Sequence, residues 1–264
     1  MAMISPIMTI MTKAAEKAAK SLNRDFGEVE QLQVSRKGPA DFVTAADKRA
    51  EQIIFEELQR ARPGFSFLME EGGEVKGTDG ENRWIIDPLD GTHNFMHGIP
   101  HWSISIALEA RGEIMAGLIY DPVKDEIFRA ERGTGAFMRN KRMRVSSRNV
   151  LESCCVGVGN PGTEKDFRDR YFREVYAVSA VAPMVRRMAS AALDLAYVGA
   201  GRLDAYFERD VKAWDVAAGY LIVKESGGHC GMIDDPHKNP VHAHQILAAN
   251  QSIGDDVRKL VKAA

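Results

Sequence analysis

Apolar residues recur every three or four positions in two stretches near the start of the chain. Ser5-Pro6, a helix cap followed by proline, opens the first stretch and predicts a helix to about Asn23. The second predicts a helix from Asp47 to about Arg60. Between them, the polar residues from Ser35 to Ala40 predict a mobile loop.

The period changes to two from residue 65 onward. Short β-type runs that end at acidic residues predict strands at 65–69 and 83–86, and alternating apolar and polar side chains predict one at 103–109. Further strands of an antiparallel meander are predicted at 114–120, 126–130 and 135–138. Most of these strands are joined by short turns, which favours antiparallel neighbours. The first half of the chain therefore predicts two helices over a mostly antiparallel sheet, an α+β pattern.

The second half alternates between strands and helices, in an α/β manner. Strands are predicted at 154–158, 203–207, 229–233 and 245–249, and helices at 164–175, 188–198 and 214–225. A last helix is predicted from Ser252, with Asp255 completing a weak capping box. We place a lobe boundary near residues 145–152, which gives lobes 1–147 and 148–264 within one compact unit.

Composition narrows the classes of function. Lys and Arg number 35 and Asp and Glu number 37, so the net charge of −2 disfavours a nucleic-acid or anionic-membrane binder. Three cysteines make no disulfide framework. No apolar run reaches the roughly 18 residues of a membrane span, so a cytoplasmic enzyme is expected.

Acidic residues stand at the ends of several predicted strands and turns. They are Glu70 and Glu71, Asp87 and Asp90, and Asp215. Carboxylates beside apolar runs are unfavourable unless a positive charge lies among them, and a hard divalent cation such as Mg²⁺ prefers oxygen ligands. Pro88 and Gly91 allow a tight turn in which Asp87, Asp90 and the Leu89 carbonyl face one point. The pattern indicates a metal-dependent, phosphate-handling enzyme.

Each motif taken singly has a simpler interpretation. Asp87 and Asp90 could belong to a solvated turn, Glu70 and Glu71 could be a surface acidic pair, and Asp215 could cap a helix. The histidines do not indicate a zinc site, because Gly98 and Pro100 prevent a helix from bringing His97 and His101 together. His237, His242 and His244 fall in a Pro-containing loop and are expected at the surface.

Together the motifs resemble the inositol monophosphatase family of Mg²⁺-dependent, lithium-sensitive phosphatases, and among its members the bacterial SuhB type. The resemblance covers nearly the whole chain, from the Asp41–Asp47 segment to Trp214-Asp215. Between these lie Glu70-Glu71 and the segment from Trp84 to Phe95. It implies a layered αβαβα sandwich, a homodimer and a small phosphate monoester as substrate.

The resemblance also implies roles for individual residues. Glu70, Asp87 and the Leu89 carbonyl would hold one Mg²⁺; Asp87, Asp90 and Asp215 would hold a second; and some relatives bind a third near Glu70. Asp47 and Thr92 would orient and deprotonate the attacking water, which the metal near Glu70 activates. Backbone N–H groups of Gly91 and Thr92 would bind phosphate oxygens.

Substrate recognition would come from the second half, where Glu208 matches the residue that holds a polyol hydroxyl and Ser190-Ala191 matches the segment beside the ring. Lys37 and Gly38 resemble a mobile lid. Three positions depart from the family pattern: His93 stands where Thr or Ser is common, Ala189 replaces the usual Gly, and Met69 precedes the acidic pair where a small or polar residue is usual.

The expected reaction is hydrolysis of myo-inositol 1-phosphate by direct in-line attack of water. Histidinol phosphate, fructose 1,6-bisphosphate and nucleotide 3′-phosphates remain alternative substrates, because the discriminating contacts are few. A non-catalytic, partner-binding role in transcription or RNA processing is an alternative of a different class.

Overall fold

The computed structural model describes residues 4–28, 34–38 and 41–264, with side chains described for 4–28 and from residue 45 onward. Seven α-helices lie in these ranges. They are α1 (Pro6–Phe26), α2 (Ala45–Ala61), α3 (Thr92–Met96), α4 (Lys165–Ser179), α5 (Ala191–Gly199), α6 (Ala213–Glu225) and α7 (Gly254–Ala263).

The strands of the described residues form a hairpin and two larger sheets. The hairpin pairs β1 (Val34–Gly38) with β2 (Asp41–Thr44). The eight-stranded sheet has the order β10-β9-β8-β7-β6-β5-β3-β4, and the five-stranded sheet has the order β12-β11-β13-β15-β14. Their members are β3 (Ser66–Met69), β4 (Gly73–Val75), β5 (Asn82–Asp90), β6 (Ser103–Ala110), β7 (Glu113–Asp121), β8 (Glu126–Glu131), β9 (Gly135–Met138), β10 (Lys141–Arg142), β11 (Cys155–Val158), β12 (Met184–Arg186), β13 (Ala205–Arg209), β14 (His229–Gly231) and β15 (Gln245–Ala249).

The helices and the two sheets stack in five layers. Helices α1 and α2 cover one face of the eight-stranded sheet, and α5 and α6 lie between the two sheets. Helices α4 and α7 cover the outer face of the five-stranded sheet. This is the αβαβα sandwich that the family resemblance implied.

The central layer explains why the acidic segments of both halves of the chain can meet. Helix α6 is apolar on almost every side, as expected for a helix packed between two sheets. Residues of both halves share the core cluster around it, including Ile119 and Phe128 of the larger sheet and Tyr206 and Ile246 of the smaller one. Each sheet comes from one half of the chain, whereas this core is common to both; the boundary between lobes 1–147 and 148–264 stays a prediction.

Three of the predicted local structures are wrong. Residues 34–38 and 41–44 pair as antiparallel strands rather than forming a loop, while Pro39 and Ala40 lie outside the described residues. Helix α5 begins at Ala191 rather than Met188, because Ala189 has a φ of 59°, which no right-handed helix allows. Helix α7 begins at Gly254 without a side-chain cap, because its N-cap residue is Ile253, whose side chain has no hydrogen-bonding atom.

The pattern also missed short elements. Helix α3 has five residues, and β4, β10 and β12 have two or three each, too short to show a period. In the described ranges no helix is long and apolar enough to cross a bilayer.

Candidate active site

The turn that ends β5 carries the first acidic residues. The carboxylate of Asp87 accepts a hydrogen bond from the Leu89 N–H at 2.9 Å, and the pairing of β5 with β6 shifts register between Asp87 and Asp90. Gly91 follows with a φ of 93°, and a Cβ there would lie 3.1 Å from the His101 carbonyl oxygen, so both conformation and space require glycine. Asp87 and Asp90 are buried. They do not form a solvated turn.

Asp90 is tied to the start of α5, which lies a hundred residues further along the chain. Its carboxylate accepts hydrogen bonds from the backbone N–H groups of Ala191 at 3.1 Å and Ala192 at 3.0 Å. It also accepts from the hydroxyls of Ser190 and, at 3.3 Å, Ser103. Burial raises the pKa of Asp90, and these donors oppose that rise because they stabilise the ionised form.

Glu70 reaches the same turn from the neighbouring parallel strand. Strand β3 pairs with β5 in parallel, and the Glu70 N–H donates to the Ile86 carbonyl at 3.3 Å. Burial, followed by repulsion from Glu70, Asp90 and Asp215, raises the pKa of Asp87 well above its usual value. Glu70 therefore joins Asp87 and Asp90 in one acidic group rather than forming a separate surface pair with Glu71.

Asp215 comes to the group on the first turn of α6. One carboxylate oxygen accepts the Lys212 N–H at 2.7 Å. The N-cap of α6 is Lys212, so Asp215 is the third helical residue and completes a capping box rather than being the N-cap itself. The side chain also interacts electrostatically with Glu70, Asp90 and Glu208, and burial above all raises its pKa well beyond the normal range. The same carboxylate therefore caps the start of α6 and is the fourth member of the acidic group, with Glu70, Asp87 and Asp90.

Asp47 and Thr92 form the hydrogen bond that the family resemblance implied. The Thr92 Oγ1 lies 3.1 Å from Asp47 Oδ1 and 3.0 Å from the Leu89 carbonyl oxygen. Asp47 lies buried on the first turn of α2, and Thr92 opens α3 directly after the acidic turn. The function of this pair in activating water stays a prediction.

The residues expected to contact the substrate are Glu208, Ser190 and Ala191. Glu208 is buried at the end of β13; it accepts a hydrogen bond from the Tyr206 hydroxyl and, at 2.8 Å, one from the Asn160 N–H. Burial raises the pKa of Glu208 to about 7. The Ser190 hydroxyl and the Ala191 N–H are already bonded to Asp90, so direct contact of either with a substrate stays a prediction.

Two residues around the site, Asp194 and Asn94, were not predicted from the sequence. Asp194 on α5 is 1% exposed, and neither carboxylate oxygen has a hydrogen-bond partner among the described residues. Burial and the nearby charges of Glu208 and Asp90 raise its pKa well above normal. A single acidic residue inside the apolar run Leu193 to Val198 was the available signal. Asn94 was also missed; its side-chain amide donates to the His101 and Met188 carbonyls, each at 2.8 Å.

His237, His242 and His244 lie at the surface, as predicted. His93 and His97 are also exposed. His101 is partly buried against the Tyr197 ring, with the ring centroids 5.8 Å apart. Among the described residues, no group of three or more His, Cys, Asp or Glu side chains is already arranged to hold a metal ion.

The donor set nevertheless fits a hard divalent cation. The acidic group offers oxygen atoms only, and three of its members, Asp87, Asp90 and Asp215, have raised pKa values because they are buried near like charges. The negative charge of Glu70 adds to the repulsion at Asp87. A cation at this point would relieve that repulsion.

The comparisons with known proteins agree with this geometry. The model of the inositol monophosphatase family matches residues 3–263. An inositol-1-monophosphatase of Rhizobium meliloti is 49% identical over 258 residues, which cover 98% of this chain and 97% of that protein. The Nus factor SuhB of Escherichia coli is 40% identical and covers 94% and 92%.

A solved structure extends the likeness to three dimensions. The crystal structure of the extragenic suppressor protein suhB from Bartonella henselae superposes with a TM-score of 0.94 at 48% identity, covering 98% of this chain and 99% of that one. The layered fold, the acidic group and the family match agree, and the chain belongs to the inositol monophosphatase family, as an enzyme of the phosphoric monoester hydrolase type.

Proposed function

We propose that this enzyme hydrolyses a small phosphate monoester in a Mg²⁺-dependent reaction, with myo-inositol 1-phosphate as the preferred substrate. The observation that carries the proposal is the convergence of Glu70, Asp87, Asp90 and Asp215 beside the hydrogen-bonded Asp47 and Thr92. Relatives at 49% identity that are named inositol-1-monophosphatase support the choice of substrate.

Two Mg²⁺ ions would be held by side chains of the acidic group and one main-chain oxygen, with a third near Glu70 as in some relatives. The ligands would be Glu70, Asp87, the Leu89 carbonyl, Asp90 and Asp215. When bound, these ions supply positive charge that lowers the pKa of water and stabilises the charge developing on the phosphate ester.

The residues of the chain itself would manage the proton of the attacking water. The Thr92 hydroxyl donates to Asp47 Oδ1 or to the Leu89 carbonyl, so its oxygen can accept a hydrogen bond from water. Asp47 is the base that takes up the proton through Thr92. The water oxygen attacks phosphorus in line as the bond to the ester oxygen breaks. The leaving alkoxide takes a proton from solvent water, and Asp47 returns its proton to solvent.

Binding groups would lie on both sides of the reacting phosphorus. The backbone N–H groups of Gly91 and Thr92, at the start of α3, would donate to phosphate oxygens. Glu208 would accept hydrogen bonds from hydroxyls of the polyol, with Ser190 and Ala191 beside its ring. Relatives of this family commonly form homodimers, and we propose a cytoplasmic homodimer.

A substrate panel tests the proposal. We expect purified protein to release phosphate from inositol 1-phosphate faster than from histidinol phosphate, fructose 1,6-bisphosphate or a nucleotide 3′-phosphate. Activity should require Mg²⁺, fall in the presence of Li⁺, and be lost in Asp90→Asn. Absence of phosphatase activity on every member of the panel, with Mg²⁺ present, would overturn the proposal.

A second role, in binding a partner of the transcription machinery, is favoured by relatives named Nus factor SuhB at 37–43% identity. Such a role would not need hydrolysis. If Asp87→Asn abolishes phosphatase activity but fully restores growth of a deletion strain, the partner-binding role is the physiological one. Failure to restore growth would assign the phenotype to catalysis.

A further inference from the structure

Glu51 lies one helical turn after Asp47 on α2, on the same face of the helix. Its side chain is buried, with the residue 7% exposed. Glu51 is not one of the acidic residues that the sequence motifs single out. Its contacts, however, are with the turn that carries Glu70.

The carboxylate of Glu51 contacts the three-residue turn between β3 and β4. Its Oε2 accepts a hydrogen bond from the Glu71 backbone N–H at 2.8 Å. Its Oε1 lies so close to Gly72 that a Cβ added there would be 3.0 Å away. A Cβ at residue 72 would also lie 3.0 Å from Met69 Cε, so a larger residue there would force both of these side chains to shift.

The main chain at Glu70 is consequently fixed from two directions. On one side, the Glu70 N–H donates to the Ile86 carbonyl, one residue before Asp87. On the other side, the next N–H in the chain, that of Glu71, donates to Glu51. Helix α2 thus positions Asp47, the proposed base. Through Glu51 it also positions the turn that carries Glu70.

We infer that Glu51 is a positioning residue, which holds the Glu70 carboxylate at the distance from Asp87 that a shared Mg²⁺ needs. This inference rests on the proposed metal-dependent function. A charged acceptor suits the task, because hydrogen bonds from N–H to carboxylate are shorter and stronger than neutral ones. Groups that orient metal ligands commonly alter affinity by about 10–100-fold when they are removed.

Glu57 provides a matched control on the same helix. It is also 7% exposed, but the partners that the described residues give it are Lys13, Lys17 and Arg60, none of which belongs to the site. Calorimetric titration of metal-free protein with Mg²⁺ alone would compare wild type, Glu51→Gln, Glu51→Ala and Glu57→Ala. We expect Glu51→Ala to weaken Mg²⁺ binding about 10–100-fold. Glu51→Gln, which keeps a carbonyl acceptor, should recover most of the loss, and Glu57→Ala should lower only the melting temperature.

Gly72→Ala disturbs the same contact without changing Glu51, and guards against a Glu51 variant that does not fold. It should also weaken Mg²⁺ binding, because the added methyl group pushes the turn away from the carboxylate. Unchanged Mg²⁺ affinity in Glu51→Ala, or an equal loss of affinity in Glu57→Ala, would overturn this inference and leave the proposed function standing. If wild type binds no Mg²⁺, both the inference and the proposed function are wrong.

Discussion

The carboxylate of Asp90 accepts a hydrogen bond from the backbone N–H of Ala192 at 3.0 Å, so a residue of the larger sheet caps a helix in the middle layer. Helix α5 receives no cap from the side chain of its own N-cap residue, Ser190, whose hydroxyl donates to Asp90 instead. The arrangement fixes Asp90 relative to the second half of the chain. It also compensates a buried charge before any cation is bound.

Ser190→Ala should destabilise the protein and reduce its activity. The variant removes a donor to the buried Asp90 carboxylate, and such hydrogen bonds to charged groups contribute about 1.5–3 kcal/mol. Ser103→Ala is the matched control, because Ser103 is equally buried but donates over a longer distance, 3.3 Å. Urea unfolding should show a larger loss for Ser190→Ala. If the two variants lose the same free energy of unfolding, the Ser190 hydrogen bond contributes no more to stability than the Ser103 hydrogen bond.

Thr92→Val should lower kcat strongly while the protein remains folded. Valine has nearly the shape of threonine but cannot pass a proton from water to Asp47, and such general base steps contribute about 10²–10⁴-fold. Thr92→Ser keeps the hydroxyl and should retain most of the activity. Steady-state kinetics on inositol 1-phosphate at saturating Mg²⁺ measures the difference. If Thr92→Val keeps wild-type kcat, the Asp47–Thr92 pair does not activate water.

Ala189→Gly should stabilise the protein. Ala189 has a φ of 59°, a left-handed conformation that costs about 1–2 kcal/mol for a residue with a Cβ. Glycine removes this strain but is freer in the unfolded state, so the net gain should be about 0.5–1 kcal/mol. Ala200→Gly is the control, since Ala200 has a φ of −90° and should show no gain. Thermal unfolding compares the two; a gain in Ala200→Gly would contradict the strain argument.

His101→Phe should reduce the loss of stability in mild acid. Burial lowers the pKa of His101 from 6.5 in the unfolded chain to about 4 in the folded one, so the unfolded state binds more protons between these values. The stability contributed by neutral His101 is complete above pH 6.5 and is lost as the pH falls toward 4. Phenylalanine cannot be protonated, so the difference between the two proteins should reach the order of 1–3 kcal/mol at pH 4.

Urea unfolding of wild type and His101→Phe at pH 7 and pH 4.5 measures this difference. His97→Gln, a change at an exposed histidine, is the control and should follow wild type. A constant difference between wild type and His101→Phe at both pH values would show that His101 is protonated as readily in the folded protein as in the unfolded one.

Long periodic segments could be predicted from the sequence, and short ones could not. Helix α2 and strands β6 and β7 show several repeats of their period, so their type follows from the order of apolar residues. Helix α3 and strand β12 are too short to show one, and tertiary contacts rather than propensity hold them in place. The start of α5 was misplaced because the backbone at Ala189 is set by its packing near Gly91.

The sequence by itself determined which groups could do chemistry here: the acidic residues at strand and helix ends, the turn from Asp87 to Gly91, and the family to which those motifs belong. Residue type and local spacing carry that information, because a carboxylate is an oxygen donor wherever the chain puts it. Only the tertiary structure decided which groups meet. Asp90 caps α5, Asp194 is buried with no hydrogen-bond partner among the described residues, and Glu51 holds the Glu70 turn. These contacts form because layers built from distant parts of the chain pack against one another.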